Sequence, residues 1–199
     1  MIRCPTFNPP GTVTGKPAAG KCFPEAGGSI LTELYMRISI APMRDLFFRV
    51  AVGIFAFDFA TKWISSLKLK PAGSVAVIPG YLNLTYVHNT GVAFGFFDNT
   101  ESAWKPYILS AIALAALVMM TLFAVRAPRN RLLLRSALAI ISGGIIGNFI
   151  DRLIHGYVVD FIDFHIHDAF HWPAFNVADS AITIGILLMF LDTVKNSSR

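Results

Sequence analysis

Four long apolar runs organise the chain. They extend from about Leu46 to Leu67, Trp104 to Val125, Leu132 to Leu153 and Val177 to Val194. Each is close to the roughly 20 residues that carry a helix across a bilayer. The second is the cleanest, with no charge from Ile108 to Val125. The first and third contain polar residues that have to face protein or water rather than lipid. Between the first two runs the pattern changes. Ser74-Val75-Ala76-Val77-Ile78, then Pro79-Gly80, then Tyr81-Leu82-Asn83-Leu84-Thr85-Tyr86-Val87 reads as strand, turn, strand. Residues 1 to about 40 are rich in Pro and Gly and read as a disordered extension, with Met36 and Met43 as alternative starts. They lack the basic-then-apolar pattern of a secretory signal. The predicted fold is an all-α membrane protein over residues 41–199. It has four transmembrane helices and a small β-sheet on the outer face, built from a β region at about 68–100.

Composition supports a bilayer as solvent. Hydrophobic residues make up 54% of the 199 and charged residues only 15%, against about 25% charged in a soluble domain. The net charge of +5 does not indicate nucleic acid, because the basic residues gather at the ends of apolar runs. Arg44 and Arg49 sit at the start of the first run. Arg126, Arg129, Arg131 and Arg135 fill the loop between the second and third, and Lys195 and Arg199 follow the fourth. By the positive-inside rule these groups are cytoplasmic, so both termini are inside and the 68–103 and 154–176 loops face outward. Cys4 and Cys22 both lie in the N-terminal extension and match no metal spacing.

Polar residues inside or beside the runs carry the chemistry. Asp58 and Lys62 are four apart and share a helix face, as an ion pair that lowers its own insertion cost or as support for a nearby site. Gly143 and Gly147 form a small-xxx-small pair suited to close helix contact. Gly144, Asn148, Asp151 and Arg152 fall near one another on a 3.6-residue period. Asn148 needs a partner, since an amide within a span is otherwise unsatisfied. Asn176 could cap the last helix, with Asp179 at its third position. Asp160 lies in an apolar outer stretch, and Asp163 is its nearest rival. His165, His167 and His171 read as a solvated loop rather than metal ligands, because the sequence has no His-Glu-x-x-His and no clear fourth group.

Five segments, in order, resemble the lipoprotein signal peptidase (signal peptidase II) family. They are Asp58-x-x-Thr61-Lys62, Asn89-x-Gly91-x-Ala93-Phe94-Gly95, Gly143-Gly144-x-x-Gly147-Asn148-x-x-Asp151-Arg152, Val158-Val159-Asp160-Phe161 and Phe175-Asn176-x-Ala178-Asp179, across about residues 45–195. The resemblance implies a multi-pass aspartic endopeptidase of the bacterial cytoplasmic (inner) membrane. Its substrates would be diacylglyceryl-modified prolipoproteins, cut just before the lipidated cysteine, and globomycin would inhibit it. It implies Asp160 and Asp179 as the catalytic pair. Asp58, Lys62, Asn89, Gly144, Asn148, Asp151, Arg152 and Asn176 would support the site or contact substrate. Membrane lipid is the other expected partner.

Two neighbouring carboxylates cannot both ionise cheaply and share a proton, so one can activate water while the other protonates a carbonyl. That chemistry requires no metal and no cofactor. Two other readings remain at this stage. One is a proton-conducting relay through Asp58, Lys62 and Asp151, and the other is a metal-dependent hydrolase built on the histidines.

Overall fold

The computed structural model describes residues 30–91, 104–128, 130–167 and 169–197, with side chains from residue 46. The chain divides into Met1–Pro42 and Met43–Arg199. Most of the proposed extension lies outside the described residues, and the chain is helical from Ile30. The elements in order are α1 (Ile30–Ala72), β1 (Val75–Ile78), β2 (Leu82–Asn89), α2 (Lys105–Arg126), α3 (Leu132–His155), β3 (Val158–Ile166), β4 (Phe170–His171) and α4 (Val177–Ser197).

Four helical segments are long and apolar enough to cross a membrane: Leu46–Ala72, Lys105–Arg126, Leu132–His155 and Val177–Ser197. The first continues past Leu67, where the sequence reading ended it, through Lys68 and Lys70 to Ala72. Those lysines lower hydropathy without breaking a helix, and the chain turns only at Gly73. Large apolar side chains such as Phe57, Trp63, Tyr107, Val125 and Phe190 point outward. That surface suits hydrocarbon as its solvent.

α3 is the centre of the bundle. Half of its most apolar window is buried, against 11% for α2. Without a hydrophobic force between helices in lipid, close packing has to hold the bundle together, and small residues allow it. A Cβ on Gly143 would lie 2.6 Å from the Ala51 carbonyl oxygen of α1. One on Gly144 would lie 2.5 Å from the Ala178 carbonyl oxygen of α4, and one on Gly147 would meet the Asp58 carboxylate. Gly143 and Gly147 therefore admit α1, while Gly144 admits the start of α4.

The strands form one antiparallel sheet in the order β1-β2-β3-β4. Pro79-Gly80 makes the first turn, closed by the Tyr81 N–H donating to the Ile78 carbonyl at 3.0 Å. Gly80 has φ +82°, as the third position of a type II turn requires. β1 and β2 match the predicted strands. β3 and β4 arise where the sequence reading placed a loop. Along β3, Val158, Asp160, Ile162 and Phe164 line a cavity, while Val159, Phe161, Asp163 and His165 take the other face. β2 pairs Leu84 with Ile162 but Val87 with Asp160, so it carries one extra residue, a bulge.

Gly144→Ala should lower the melting temperature in detergent. The helix-propensity gain of about 1 kcal/mol is outweighed by overpacking against a backbone carbonyl, at about 1–3 kcal/mol. Gly53 has nothing within 4 Å of a Cβ, so Gly53→Ala should leave the melting temperature unchanged or raise it. Equal melting temperatures for the two variants would contradict this packing account.

Candidate active site

The cavity behind β3 has a volume of about 760 Å³. Asp160, Asp179, Asn89, Asn148 and Arg152 reach its wall, and most of the remaining lining is apolar, including Leu82, Ile162, Phe175 and Ile182. The polar residues come from β2, α3, β3 and α4, and hydrogen bonds join them into one network.

Asp179 stands in the first turn of α4. Its N–H donates to Asn176 Oδ1 at 3.0 Å, and the Asn176 N–H donates to Asp179 Oδ2 at 3.3 Å. This is a reciprocal capping box, which fixes both side chains at the positive end of the helix. Asn176 Nδ2 then donates to Asp160 Oδ1 at 2.6 Å. One residue, fully buried, therefore touches both carboxylates, Asp160 through its side-chain amide and Asp179 through its main-chain N–H. Asn148 of α3 donates from Nδ2 to Asp179 Oδ1 at 2.8 Å. Its Oδ1 accepts from Lys62 Nζ at 2.9 Å and from Asn176 Nδ2 at 3.3 Å. Asn89, at the end of β2, donates from Nδ2 to Asp160 Oδ2 at 2.8 Å.

Lys62 anchors the floor of the site. Its ammonium lies 2.8 Å from Asp58 Oδ2 and 2.9 Å from Asp151 Oδ2. With Asn148, these partners match its three N–H donors. Asp58 Oδ1 in turn accepts the Ala178 N–H at 2.8 Å, so α1 holds the first turn of α4. Asp151 Oδ2 also accepts from the Val159 N–H at 3.4 Å. Arg152 donates to the Asn148 carbonyl at 3.2 Å and to the Gly91 carbonyl at 3.3 Å.

The network holds four carboxylates and two cations, so full ionisation would leave two negative charges in excess. Asp160 is 1% exposed. Burial, reinforced by the charge of Asp179, raises its pKa to about 7, against the opposing hydrogen bonds from Asn89 and Asn176. Near neutrality this carboxyl is poised to hold or release a proton.

Of the ten site residues read from the sequence, Asp58, Lys62, Asn89, Asn148, Asp151, Arg152, Asp160, Asn176 and Asp179 come together here. Gly144 is the exception in kind: it is a packing contact for α4. Ala93, Phe94 and Gly95 lie outside the described residues. Asp163 faces away from the cavity. The sequence reading did not pick out the apolar wall, including Leu82, Val87, Ile162, Phe164 and Trp172. The β-branched and aromatic residues of 158–166, with apolar–polar alternation from Ile162 to Ile166, were the available signal for its β3 part.

A four-span bundle here presents a linked pair of carboxylates to one largely apolar cavity, an arrangement suited to acid–base chemistry within a membrane protein. A family model described as signal peptidase (SPase) II matches residues 50–195. The lipoprotein signal peptidase of Alteromonas mediterranea is 45% identical over 126 residues, covering 63% of this chain and 68% of that one. That of Acinetobacter baylyi is 44% identical over 136 residues, covering 68% and 74%. That of Francisella tularensis subsp. novicida is 39% identical over 143 residues, covering 72% and 88%. A bacterial membrane enzyme solved by the in meso method at 2.3 Å resolution superposes with a TM-score of 0.69 at 34% identity, over 77% of this chain and 90% of that one. The chain belongs to the signal peptidase II family. Members are aspartic endopeptidases that remove the signal peptide from prolipoproteins, and this multi-pass membrane enzyme does the same.

Lys62→Met should be strongly destabilising, because it leaves Asp58 and Asp151 buried without their cation. Breaking such a pair costs about 3–5 kcal/mol. Thermal unfolding and the yield of monodisperse protein would show the loss. A Lys62→Met protein as stable as wild type would mean that the ammonium does not hold the bundle.

Proposed function

We propose that Asp160 and Asp179 are the catalytic pair, and that the bond they hydrolyse lies just before the diacylglyceryl-modified cysteine of a prolipoprotein. The observation that carries this reading is Asn176, which donates to both carboxylates at the wall of one cavity, to Asp160 from its side-chain amide and to Asp179 from its main-chain N–H. Asp179 accepts hydrogen bonds from Asn148 and from the Asn176 N–H at a helix N-terminus, an arrangement suited to the base. Asp160, buried and titrating near neutrality, is suited to the acid.

In this mechanism Asp179 takes a proton from water as the water oxygen attacks the scissile carbonyl carbon. Asp160 gives its proton to the carbonyl oxygen. On collapse of the tetrahedral intermediate, Asp160 regains a proton from the hydroxyl and Asp179 protonates the departing nitrogen as the C–N bond breaks. The apolar lining of the cavity suits the acyl chains and apolar side chains near the cut. Arg152, at the cavity wall, is placed to meet a substrate carbonyl or headgroup. The arginines of the loop between α2 and α3 support an inner-membrane orientation with both termini cytoplasmic and the sheet outside. The substrate cysteine, anchored by its lipid at the outer leaflet, would then reach the pair. Globomycin would compete for the same cavity.

Asp160→Asn and Asp179→Asn should each lower cleavage of a lipidated precursor by about 10²–10⁴-fold or more, the usual worth of a general acid or base. Thermal unfolding should be near wild type, and globomycin should block the residual wild-type activity in the same gel-shift assay. Robust cleavage by either variant would defeat the assignment.

The acid role also sets a pH dependence. Activity should fall as pH rises past about 7, because Asp160 then loses the proton it must donate. Asp179, Lys62 and Arg152 contribute to the field at this carboxyl and stay in place in the comparison. Asn89 donates to Asp160 and favours its ionised form, so Asn89→Ala should move the alkaline limb of kcat/KM upward. A limb that stays put or moves down would show that another group sets it.

A further inference from the structure

Asp163, His165 and His171 form a cluster that the peptidase chemistry leaves unused. Alternation along β3 puts Asp163 and His165 on the face opposite Asp160, Ile162 and Phe164. β4 pairs so that His171 stands directly across from His165, on that same face. One ligating atom from each of the three lies within 4.8 Å of the other two.

The distances fit an ion better than they fit hydrogen bonds. His165 Nδ1 is 3.8 Å from Asp163 Oδ2, and His171 Nδ1 is 3.9 Å from Asp163 Oδ1. Both exceed hydrogen-bonding range. Ligands held tetrahedrally at about 2.0–2.1 Å from a zinc ion are separated by about 3.3 Å, so small side-chain rotations would close the set. The two imidazoles lie nearly parallel, 13° apart, with ring centres 5.0 Å from each other.

A second observation points to a ligand. His165 is 8% exposed, and its Nδ1, aimed at Asp163, has no hydrogen-bond partner among the described residues. A buried ring nitrogen left unmet is unfavourable, and a cation would satisfy it. Asn83, directly across from Asp163 on β2, donates to Asp163 Oδ2 at 3.3 Å. That is the kind of outer contact that orients a metal-binding carboxylate. The His171 side chain is 61% exposed, which opens the site to solvent. His167 does not contribute: it has φ +46°, and its ring meets Tyr81 edge-on.

We propose that Asp163, His165 and His171 bind a divalent transition-metal ion of the zinc class, which pins β4 to β3 on the side away from the catalytic cavity. Two imidazoles and one carboxylate favour such an ion over magnesium or calcium, which take oxygen ligands. The ion takes no part in peptide hydrolysis. Phe164 and Trp172, neighbours of the ligands, line the cavity, so the ion stiffens one of its walls.

The test uses the full chain in detergent, free of any polyhistidine tag and stripped with chelator. Zinc chloride is titrated by calorimetry, and stoichiometry is read by native mass spectrometry. The expected result is one saturable ion per chain, not displaced by a large excess of magnesium. Loss of an outer contact alone weakens metal sites by about 10–100-fold, so loss of a ligand in His171→Ala or Asp163→Asn should weaken Kd at least about tenfold. The exposed position of His171 keeps that variant folded, as an unchanged melting temperature without metal would verify. Zinc should raise the melting temperature of wild type and not of His171→Ala. No saturable binding by wild type, or equally tight binding by both variants, overturns the proposal.

Discussion

A single buried ammonium holds the rest in register. Lys62 pairs with Asp58 and Asp151 and donates to Asn148, and those groups reach onward to β3 and α4. Asp58 fixes the Ala178 N–H of α4, Asp151 the Val159 N–H of β3, and Asn148 the carboxylate of Asp179. A charge this deep is tolerated only when it is fully paired. The requirement works in both directions: the helices have to converge for the lysine to be satisfied, and their convergence delivers the two carboxylates to one cavity wall.

Packing and polarity divide the work on α3. Gly143, Gly144 and Gly147 let α1 and α4 approach at backbone distance, while Asn148, Asp151 and Arg152, one turn further on, carry the hydrogen bonds. The small residues come first along the helix and set the spacing within which the polar ones can meet. The N-terminal turn of α4 is held from two sides, by α1 through Asp58 and by α3 at Gly144. Asp179 therefore starts from a clamped helix end rather than from a loop.

The four spans were legible in the sequence because hydropathy and length determine them directly, and β1 and β2 because a Pro-Gly turn separates two β-rich runs. β3 was not, since Val158-Val159 and Phe161-Ile162 put apolar residues on both faces and break the alternation that marks a strand. Within the site, contacts along one helix, such as Asp58 with Lys62, followed from spacing. The contacts between elements did not: neither Lys62 with Asp151 nor Asn176 with Asp160 has a signature in one dimension. Adjacent in sequence, Asp151 and Arg152 also part company: Asp151 turns to Lys62 while Arg152 donates to backbone carbonyls. The family resemblance named these residues, but which partner each one takes emerges only from the folded chain.

The extra residue in β2 acts as a phase shifter. Before it, Leu82 and Leu84 share the cavity face with Phe164 and Ile162; after it, Val87 and Asn89 do so in register with Asp160 and Val158. A strand without the insertion would present Tyr86 and His88 in their place. The neighbour offered to Asp160 would then be an imidazole, which gains and loses charge close to neutrality, instead of an amide whose protons are permanent. A backbone irregularity of one residue thus sets an amide rather than the His88 ring against the Asp160 carboxylate.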